Sequence, residues 1–275
     1  MIQIHSIEDE RVALFANLSE HELKHYNEPE PGYFIAESPK VILRALDAGY
    51  EPVAILMESP DKYREPLVSE VLDKVHIGYG ESVPCYYADD EVLSKLTGIH
   101  LTRGMLCAIK RRGMLNDDAS FLESDNARRI AVLESVVNPT NMGAIIRSAA
   151  ALGIDGFLLT ADCVDPLYRR CLRVSMGNVF SIPWAYIPEG NSVCSYAHAK
   201  GFKCAAMALD DRCIGLEDSK LKECDKLAIV LGNEGLGLSQ KTIEEADFIV
   251  KIPMAREVDS LNVAAASAIA FWELV

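Results

Sequence analysis

The segment Leu227-Ala-Ile-Val-Leu231-Gly-Asn-Glu-Gly-Leu-Gly237 joins five apolar residues to a glycine-rich turn. A short, uninterrupted apolar run is typical of a strand that is buried on both faces. A glycine-rich turn at the carboxyl end of such a strand is where open α/β sheets bind their ligands. The segment therefore predicts a buried strand of an α/β domain, with a binding site at its end.

The rest of the C-terminal half repeats this pattern. Strand-length apolar blocks alternate with helical stretches, which indicates a parallel sheet covered by helices on both faces. The other predicted strands are residues 130–136, 157–160, 182–187, 202–209 and 248–252, and the predicted helices are residues 142–152, 239–246 and 260–274. We therefore predict a doubly wound α/β domain over residues 128–275.

A smaller α/β domain is predicted before it, over residues 33–112. Its predicted strands are residues 33–36, 52–57, 83–87 and 101–109, and its predicted helices are residues 38–46 and 89–96. Residues 1–32 are acidic and end in a Pro-Glu-Pro-Gly turn, which predicts an N-terminal extension with a helix near residues 19–25. The polar stretch 113–127 shows neither the apolar spacing of a helix nor that of a strand, which predicts a linker.

Composition narrows the class of protein. The 275 residues carry a formal net charge of −14, and neither half is basic, which excludes binding to nucleic acid through bulk charge. The eight cysteines form no CxxC pair and lack a zinc-site spacing with histidine, so we expect free thiols, a reducing compartment and no metal. No apolar run reaches the roughly 20 residues of a membrane span. We expect a soluble, cytoplasmic protein.

The first segment that carries chemistry is Asn138-Pro-Thr-Asn141-Met-Gly143-Ala-Ile-Ile-Arg147. It follows a predicted strand and opens a helix that Thr140 or Asn141 is expected to cap. Arg147 lies in an apolar stretch, so we expect it to be desolvated and to need an anionic partner. A phosphate or carboxylate ligand and a structural ion pair fit this position equally well.

The second segment is the glycine-rich turn after Leu231. Its spacing is GxxGxG, which is neither the GxGxxG fingerprint of dinucleotide-binding folds nor a phosphate-binding P-loop. A nicotinamide-dependent dehydrogenase is disfavoured for that reason. Glu234 lies at a strand end beside glycines, where a carboxylate can orient a ligand or an arginine.

The third segment is Ile252-Pro-Met254-Ala-Arg-Glu-Val-Asp259-Ser260-Leu-Asn262-Val, which leads into an alanine-rich helix. Asp259 or Ser260 is expected to cap this helix, and Ser260 and Asn262 are either local caps or site residues. The small side chains favour close packing against another element, such as a second copy of the chain. A nucleophilic serine is disfavoured because no G-x-S-x-G elbow is present.

In this order, the motifs N-x-G-x-x-x-R, G-N-E-G-x-G and I-P-M-x(5)-S-L-N-V resemble those of the SpoU (TrmH-type) RNA ribose methyltransferases of the SPOUT superfamily. The resemblance covers residues 128–275, and residues 173–183 are similar to the family segment that follows the first motif. Residues 33–110 are similar to the family's N-terminal substrate-binding domain. They depart from it at Glu37-Ser38, where the family pattern has Glu-Gly.

The resemblance implies a C-terminal domain with a trefoil knot, a homodimer, and methylation of a ribose 2′-hydroxyl from S-adenosylmethionine. It implies RNA as the substrate, ribosomal RNA more than transfer RNA. A transfer RNA methyltransferase and a catalytically idle RNA-binding protein of the same fold are the alternatives. The resemblance implies neither a membrane nor a metal ion.

The family motifs also imply roles for individual residues. Arg147 is expected to hold the substrate phosphate, Ser260 and Asn262 to orient the hydroxyl, and Glu234 to fix Arg147 or the loop. The active-site positions are Asn141, Arg147, Glu234, Ser260 and Asn262. The expected cofactor contacts are Leu209, Gly232, Asn233, Ile252, Met254 and Leu261. Local cations expected to contact RNA are Arg103, Lys110, Arg111, Arg112, Arg128 and Arg173.

Overall fold

The computed structural model describes residues 1–16, 18–59, 61, 64–97, 104–113, 119–256 and 260–275. The chain divides into two compact units. The first unit contains Met1–Met114 and Leu167–Phe180, and the second contains Leu115–Pro166 and Ser181–Val275.

Strands and helices alternate through most of the chain. The strands are β1 (Ile2–Ile4), β2 (Tyr33–Glu37), β3 (Pro52–Met57), β4 (Cys85–Ala88), β5 (Met105–Lys110), β6 (Arg129–Leu133), β7 (Gly156–Leu159), β8 (Trp184–Tyr186), β9 (Lys203–Met207), β10 (Ile214–Gly215), β11 (Leu227–Leu231) and β12 (Phe248–Lys251). The helices are α1 (Ala13–Ala16), α2 (Glu20–Lys24), α3 (Pro39–Asp47), α4 (Pro66–Tyr79), α5 (Asp90–Thr97), α6 (Pro139–Leu152), α7 (Arg169–Val174), α8 (Val193–Ala199), α9 (Ser219–Lys222), α10 (Gln240–Glu245) and α11 (Val263–Leu274).

The first unit is built on a five-stranded sheet in the order β1-β4-β3-β5-β2. The β3–β5 and β5–β2 pairs are antiparallel, and the other pairs are parallel. Strand β1 pairs with β4, and Val12, Phe15 and Leu23 are buried in the same core cluster as the sheet residues. Residues 1–32 are therefore part of this unit and do not form a separate extension.

Helix α4 was not anticipated from the sequence. Val68, Val71, Leu72 and Val75 are its buried residues, and their spacing of three, one and three residues is that of a helical apolar face. Glu65 precedes the helix and Pro66 opens it, a position that suits proline because its missing N–H has no helical partner there. Both signals were available in the sequence.

Residues 167–180 belong to the first unit, although the motif-based boundary assigned them to the C-terminal domain. Helix α7 packs against β2. The buried carboxylate of Glu37 accepts a hydrogen bond of 3.0 Å from Nε of Arg169 and lies 3.6 Å from a guanidinium nitrogen of Arg173. A buried carboxylate requires such pairing, so these ion pairs anchor the segment.

Ser38 lies in a strained backbone conformation. Its φ of 83° and ψ of 144° fall in a region that residues with a Cβ atom avoid. Its buried hydroxyl oxygen also has no hydrogen-bond partner among the described residues. The structure thus explains physically why glycine is expected after Glu37.

The second unit contains a seven-stranded sheet in the order β10-β12-β9-β11-β6-β7-β8, and all its pairs are parallel. The predicted α/β class of this half is confirmed. Strand β11 coincides with the predicted apolar run, and all five of its residues are buried. Because the strands are parallel, the loops that follow β6, β9, β11 and β12 emerge at one edge of the sheet.

Residues 119–127 of the stretch predicted as a linker contribute to the second unit. Ala119, Leu122 and Ala127 are buried in its core cluster, and a 3₁₀ turn spans Ser120–Glu123. The apolar side chains in this otherwise polar stretch pack under the sheet. No helix in the described part of the chain is long and apolar enough to cross a membrane.

Candidate active site

The loop after β6 leads into α6, whose start is fixed by Asn138. The side-chain oxygen of Asn138 accepts hydrogen bonds from the backbone N–H groups of Thr140 (2.8 Å) and Asn141 (3.4 Å). Pro139 occupies the first helical position. The expectation that Thr140 or Asn141 caps the helix is therefore wrong. An asparagine immediately before proline was the sequence signal for the cap.

Three residues from the three motifs are joined by their side chains. Nδ2 of Asn141 donates a hydrogen bond of 3.0 Å to Oε1 of Glu234, and Nδ2 of Asn262 donates one of 3.1 Å to Oδ1 of Asn141. The same Glu234 oxygen accepts a hydrogen bond from the backbone N–H of Asn138. Asn141 is buried, so its amide orientation is set by these two partners.

Glu234 therefore holds the start of α6 and forms no ion pair with Arg147 among the described residues. Arg147 itself is exposed on α6, so the expectation of a desolvated guanidinium is wrong. An exposed arginine is open to a ligand from solvent.

Asn262 is the N-cap of α11, and its Oδ1 accepts a hydrogen bond of 3.0 Å from the N–H of Ala264. The expected cap at Ser260 is wrong, and Asp259 lies outside the described residues. Ser260 is exposed two residues before this N-cap, so its hydroxyl does not cap the helix.

The glycine-rich loop between β11 and α10 is a tight hairpin. Asn233 and Gly237 exchange two backbone hydrogen bonds of 3.0 Å, and the side-chain oxygen of Asn233 accepts from the N–H groups of Gly235 and Leu236. A Cβ atom on Gly232 would lie 2.4 Å from the carbonyl carbon of Gly237. Only glycine fits at position 232, because the opposing atoms are backbone.

The loop is tied to the neighbouring strand end. Nδ2 of Asn233 donates a hydrogen bond of 2.8 Å to the carbonyl of Ser135, which adopts a φ of 57°. The Ser135 and Thr160 hydroxyls donate to the carboxylate of Asp162. Partial burial opposes the charge of Asp162, but these hydrogen bonds outweigh it and lower the pKa of the carboxyl below its usual value of 3.8. Asp162 was not anticipated from the sequence.

A cavity of about 390 Å³ lies between the loops that follow β9, β11 and β12. Its size is that of a small-molecule site. All six residues expected to contact the cofactor line it: Leu209, Gly232, Asn233, Ile252, Met254 and Leu261. Glu234 and Ser260 also line it, whereas Asn141, Arg147 and Asn262 do not. The tertiary structure thus brings three distant sequence segments to one cavity.

The cations expected to contact RNA have different environments. Arg111 is 4% exposed and its Nε donates to the carbonyl of Tyr33, so its assignment to RNA is corrected to a structural role. The guanidinium of Arg112 stacks 4.4 Å from the ring of Tyr50. Lys110 is exposed at the end of β5.

Of the other cations expected to contact RNA, two lie near carboxylates and one lies outside the described residues. Arg173 is near the carboxylate of Glu37, and Arg128 lies 3.5 Å from a carboxylate oxygen of Asp225. Arg103 lies outside the described residues.

Comparison with known proteins adds to this geometry. Residues 128–272 match the model of the SpoU rRNA Methylase family. An uncharacterized tRNA/rRNA methyltransferase of Mycobacterium bovis is 33% identical over 240 residues, which are 87% of this chain and 79% of that protein. A 23S rRNA (guanosine-2′-O-)-methyltransferase of Escherichia coli is 26% identical and covers 81% of this chain and 93% of its own.

Solved structures agree with these relatives. The crystal structure of an AdoMet-bound rRNA methyltransferase from Sinorhizobium meliloti superposes with a TM-score of 0.78 at 25% identity and covers 99% of this chain and 96% of its own. The SpoU methyltransferase AviRb from Streptomyces viridochromogenes has a TM-score of 0.76 at 21% identity and covers 95% of this chain and 94% of its own, which supports the fold.

Proposed function

The chain belongs to the SpoU rRNA Methylase family, and on that basis we propose that it transfers a methyl group from S-adenosylmethionine to a ribose 2′-hydroxyl of ribosomal RNA. One observation carries the proposal. The hydrogen-bonded series Glu234–Asn141–Asn262 joins the three motifs, and Glu234 also lines the cavity. The relative from E. coli, a 23S rRNA 2′-O-methyltransferase by name, supports ribosomal RNA as the substrate.

The cavity fits the cofactor. Its wall combines apolar side chains such as Leu209, Met254 and Leu261 with the backbone of the Gly232 hairpin. The hairpin can approach a ligand closely because Gly232 lacks a side chain. When bound, S-adenosylmethionine supplies an electrophilic methyl group on its sulfonium. We propose that the chain around the cavity forms the trefoil knot that the family resemblance implies.

We assign the positioning and activation of the ribose 2′-hydroxyl to three residues of the second unit. Arg147 is exposed and its guanidinium carries a positive charge, so it positions the substrate phosphate and stabilises charge that develops on the 2′-oxygen. The hydroxyl of Ser260 orients the ribose hydroxyl at the cavity wall. Asn262 retains one amide hydrogen for the same purpose, because its other groups bond Asn141 and Ala264.

RNA contacts outside the cavity are proposed for exposed cations. Lys110 and Arg112 of the first unit and Arg128 of the second are the described candidates. Such cations add salt-dependent affinity without base specificity. The net charge of −14 limits binding to these local positions.

We also propose that the protein is a cytoplasmic homodimer. Helix α11 packs one face on α6 and leaves Ile269 and Trp272 exposed at 42% and 76%. An apolar face of this kind is suited to a second copy of the chain. None of the eight cysteines, all of them described, takes part in a disulfide, which suits a reducing compartment.

The test is transfer of labelled methyl from S-adenosylmethionine to total RNA. We expect label in the ribosomal RNA size class, in ribose-methylated nucleosides after digestion, and none with Arg147→Ala. Label in the transfer RNA size class would show that transfer RNA, and not ribosomal RNA, is the substrate. Absence of label on both unmodified and mature RNA, with cofactor binding retained, would favour the idle RNA-binding alternative.

A further inference from the structure

A second group of side chains lies at the amino ends of β9 and β12, the sheet edge opposite the cavity. His198 is on α8, Cys204 is the second residue of β9, and Asp247 directly precedes β12. Each offers one ligand atom, and the three atoms lie within 4.8 Å of one another. Imidazole, thiol and carboxylate are the groups that bind zinc in proteins.

A second buried thiol, that of Cys194, lies on the same helix as His198. Cys194 precedes His198 by one helical turn on α8, so both side chains lie on the same face. The thiol of Cys194 donates a hydrogen bond of 3.6 Å to the carbonyl of Thr242, and both Cys194 and Cys204 are completely buried. We propose that His198, Cys204 and Asp247 form a binding site for one Zn²⁺ ion.

The electrostatics favour a cation at this point. A Zn²⁺ ion would displace the proton of the Cys204 thiol and bind the resulting thiolate. The carboxylate of Asp247 also faces the site, and Glu245 adds negative potential there. Lys203 opposes binding, because its ammonium lies 2.7 Å from Oδ1 of Asp247.

The rearrangement needed is small. Nε2 of His198 lies 2.7 Å from Oδ2 of Asp247, whereas ligand atoms around tetrahedral zinc are about 3.3 to 3.8 Å apart. This pair must open by about 1 Å, and the widest separation must close by a similar amount. The His198 and Lys203 side chains are 40% and 60% exposed, so both can turn without disturbing the core.

Three protein ligands leave the fourth position of a tetrahedral site to a water molecule, and the ion joins α8 to β9 and β12. Methyl transfer does not require it. The cysteine spacing gave no indication of such a site, because its ligands come from a helix, a strand and a separate loop. The expectation of no metal is thus replaced by this proposal.

Cobalt(II) titration of the full chain in a phosphine reductant tests it, since thiolate ligation produces an intense charge-transfer absorption. We expect one equivalent to bind, Zn²⁺ to displace it, and Zn²⁺ to raise the melting temperature. His198→Ala, at a half-exposed position, should weaken Co²⁺ binding more than about 10-fold. Cys85→Ser, a half-buried thiol of β4, should bind as the unmodified chain does.

Asp247→Asn provides a second variant, with folding checked by circular dichroism. The proposal is overturned if Co²⁺ produces no charge-transfer band, or if His198→Ala and Asp247→Asn bind it as tightly as the unmodified chain. None of these readouts depends on methyl transfer, so the zinc site and the proposed function can fail separately.

Discussion

The side-chain amide of Asn141 donates a hydrogen bond of 3.0 Å to the carboxylate of Glu234. The two residues lie in different motifs and after different strands, β6 and β11. Because Asn141 is buried and Glu234 lines the cavity, their contact couples the start of α6 to the glycine-rich hairpin.

Replacement of either partner should reduce methyl transfer. We expect Asn141→Ala and Glu234→Ala each to lower kcat about 10- to 100-fold, because a hydrogen bond to a charged acceptor contributes roughly 1.5–3 kcal/mol. The double variant should have a kcat no lower than that of the slower single variant, because both substitutions remove the same Asn141–Glu234 hydrogen bond. Asn191→Ala, whose amide bonds only the local Pro188 carbonyl in the described structure, is the control. Additive effects in this cycle would contradict the coupling.

Gly232→Ala should abolish cofactor binding. The new Cβ would lie 2.4 Å from backbone of Gly237, so the hairpin must move out of its conformation. Gly235→Ala is a matched control, because its nearest neighbour would be a side-chain oxygen at 3.6 Å. Calorimetric titration with S-adenosylmethionine should detect binding to Gly235→Ala alone. Equal affinity for both variants would show that the hairpin does not shape the cavity.

Arg147→Ala should leave cofactor affinity unchanged and reduce turnover by about 100-fold or more. The physical reason is that Arg147 is exposed on α6 and does not line the cavity. Lys220→Ala on α9 removes an exposed cation before β11 and should retain activity. Cofactor titration and single-turnover methyl transfer measure the two effects. Weaker cofactor binding by Arg147→Ala would refute this division of roles.

Ser38→Gly should stabilise the protein by about 1–3 kcal/mol, since glycine adopts a φ of 83° without strain. Ser38→Ala removes only the unpartnered buried hydroxyl and keeps the strained backbone, so it should raise stability less. Denaturant unfolding of the three proteins gives the order. A Ser38→Gly protein less stable than the unmodified one would mean that the serine makes a favourable contact.

The pKa of Asp162 is lowered on folding, which fixes the sign of its pH effect. Its contribution to stability is complete above the unfolded value of 3.8 and is lost as the pH falls through the lower folded value. The unmodified chain should therefore be more stable than Asp162→Asn by a constant amount from about pH 8 to pH 5. The difference should shrink as the pH falls below 3.8. A difference that grows towards acid pH would contradict the assignment.

Much of the fold could be predicted because it depends on local patterns. The apolar run of β11 and the alternation of strands and helices indicated the α/β class, since period and strand length are read directly from neighbouring residues. Residues 1–32 were misplaced because β1 is short and pairs with β4, far along the chain. Strand pairing of that kind leaves no local signal.

The candidate active site, like the fold, combines features that the sequence predicts with features that depend on tertiary packing. The sequence by itself determined which motifs are present and that a glycine-rich turn follows the apolar run of β11, since motif identity and turn composition are local. Only the tertiary structure decided that Glu234 bonds Asn141 and that Arg111 is buried. The physical reason is that a side chain's partners depend on which strand ends meet at one edge of a parallel sheet. The same packing placed Cys204 beside residues that its own spacing does not predict.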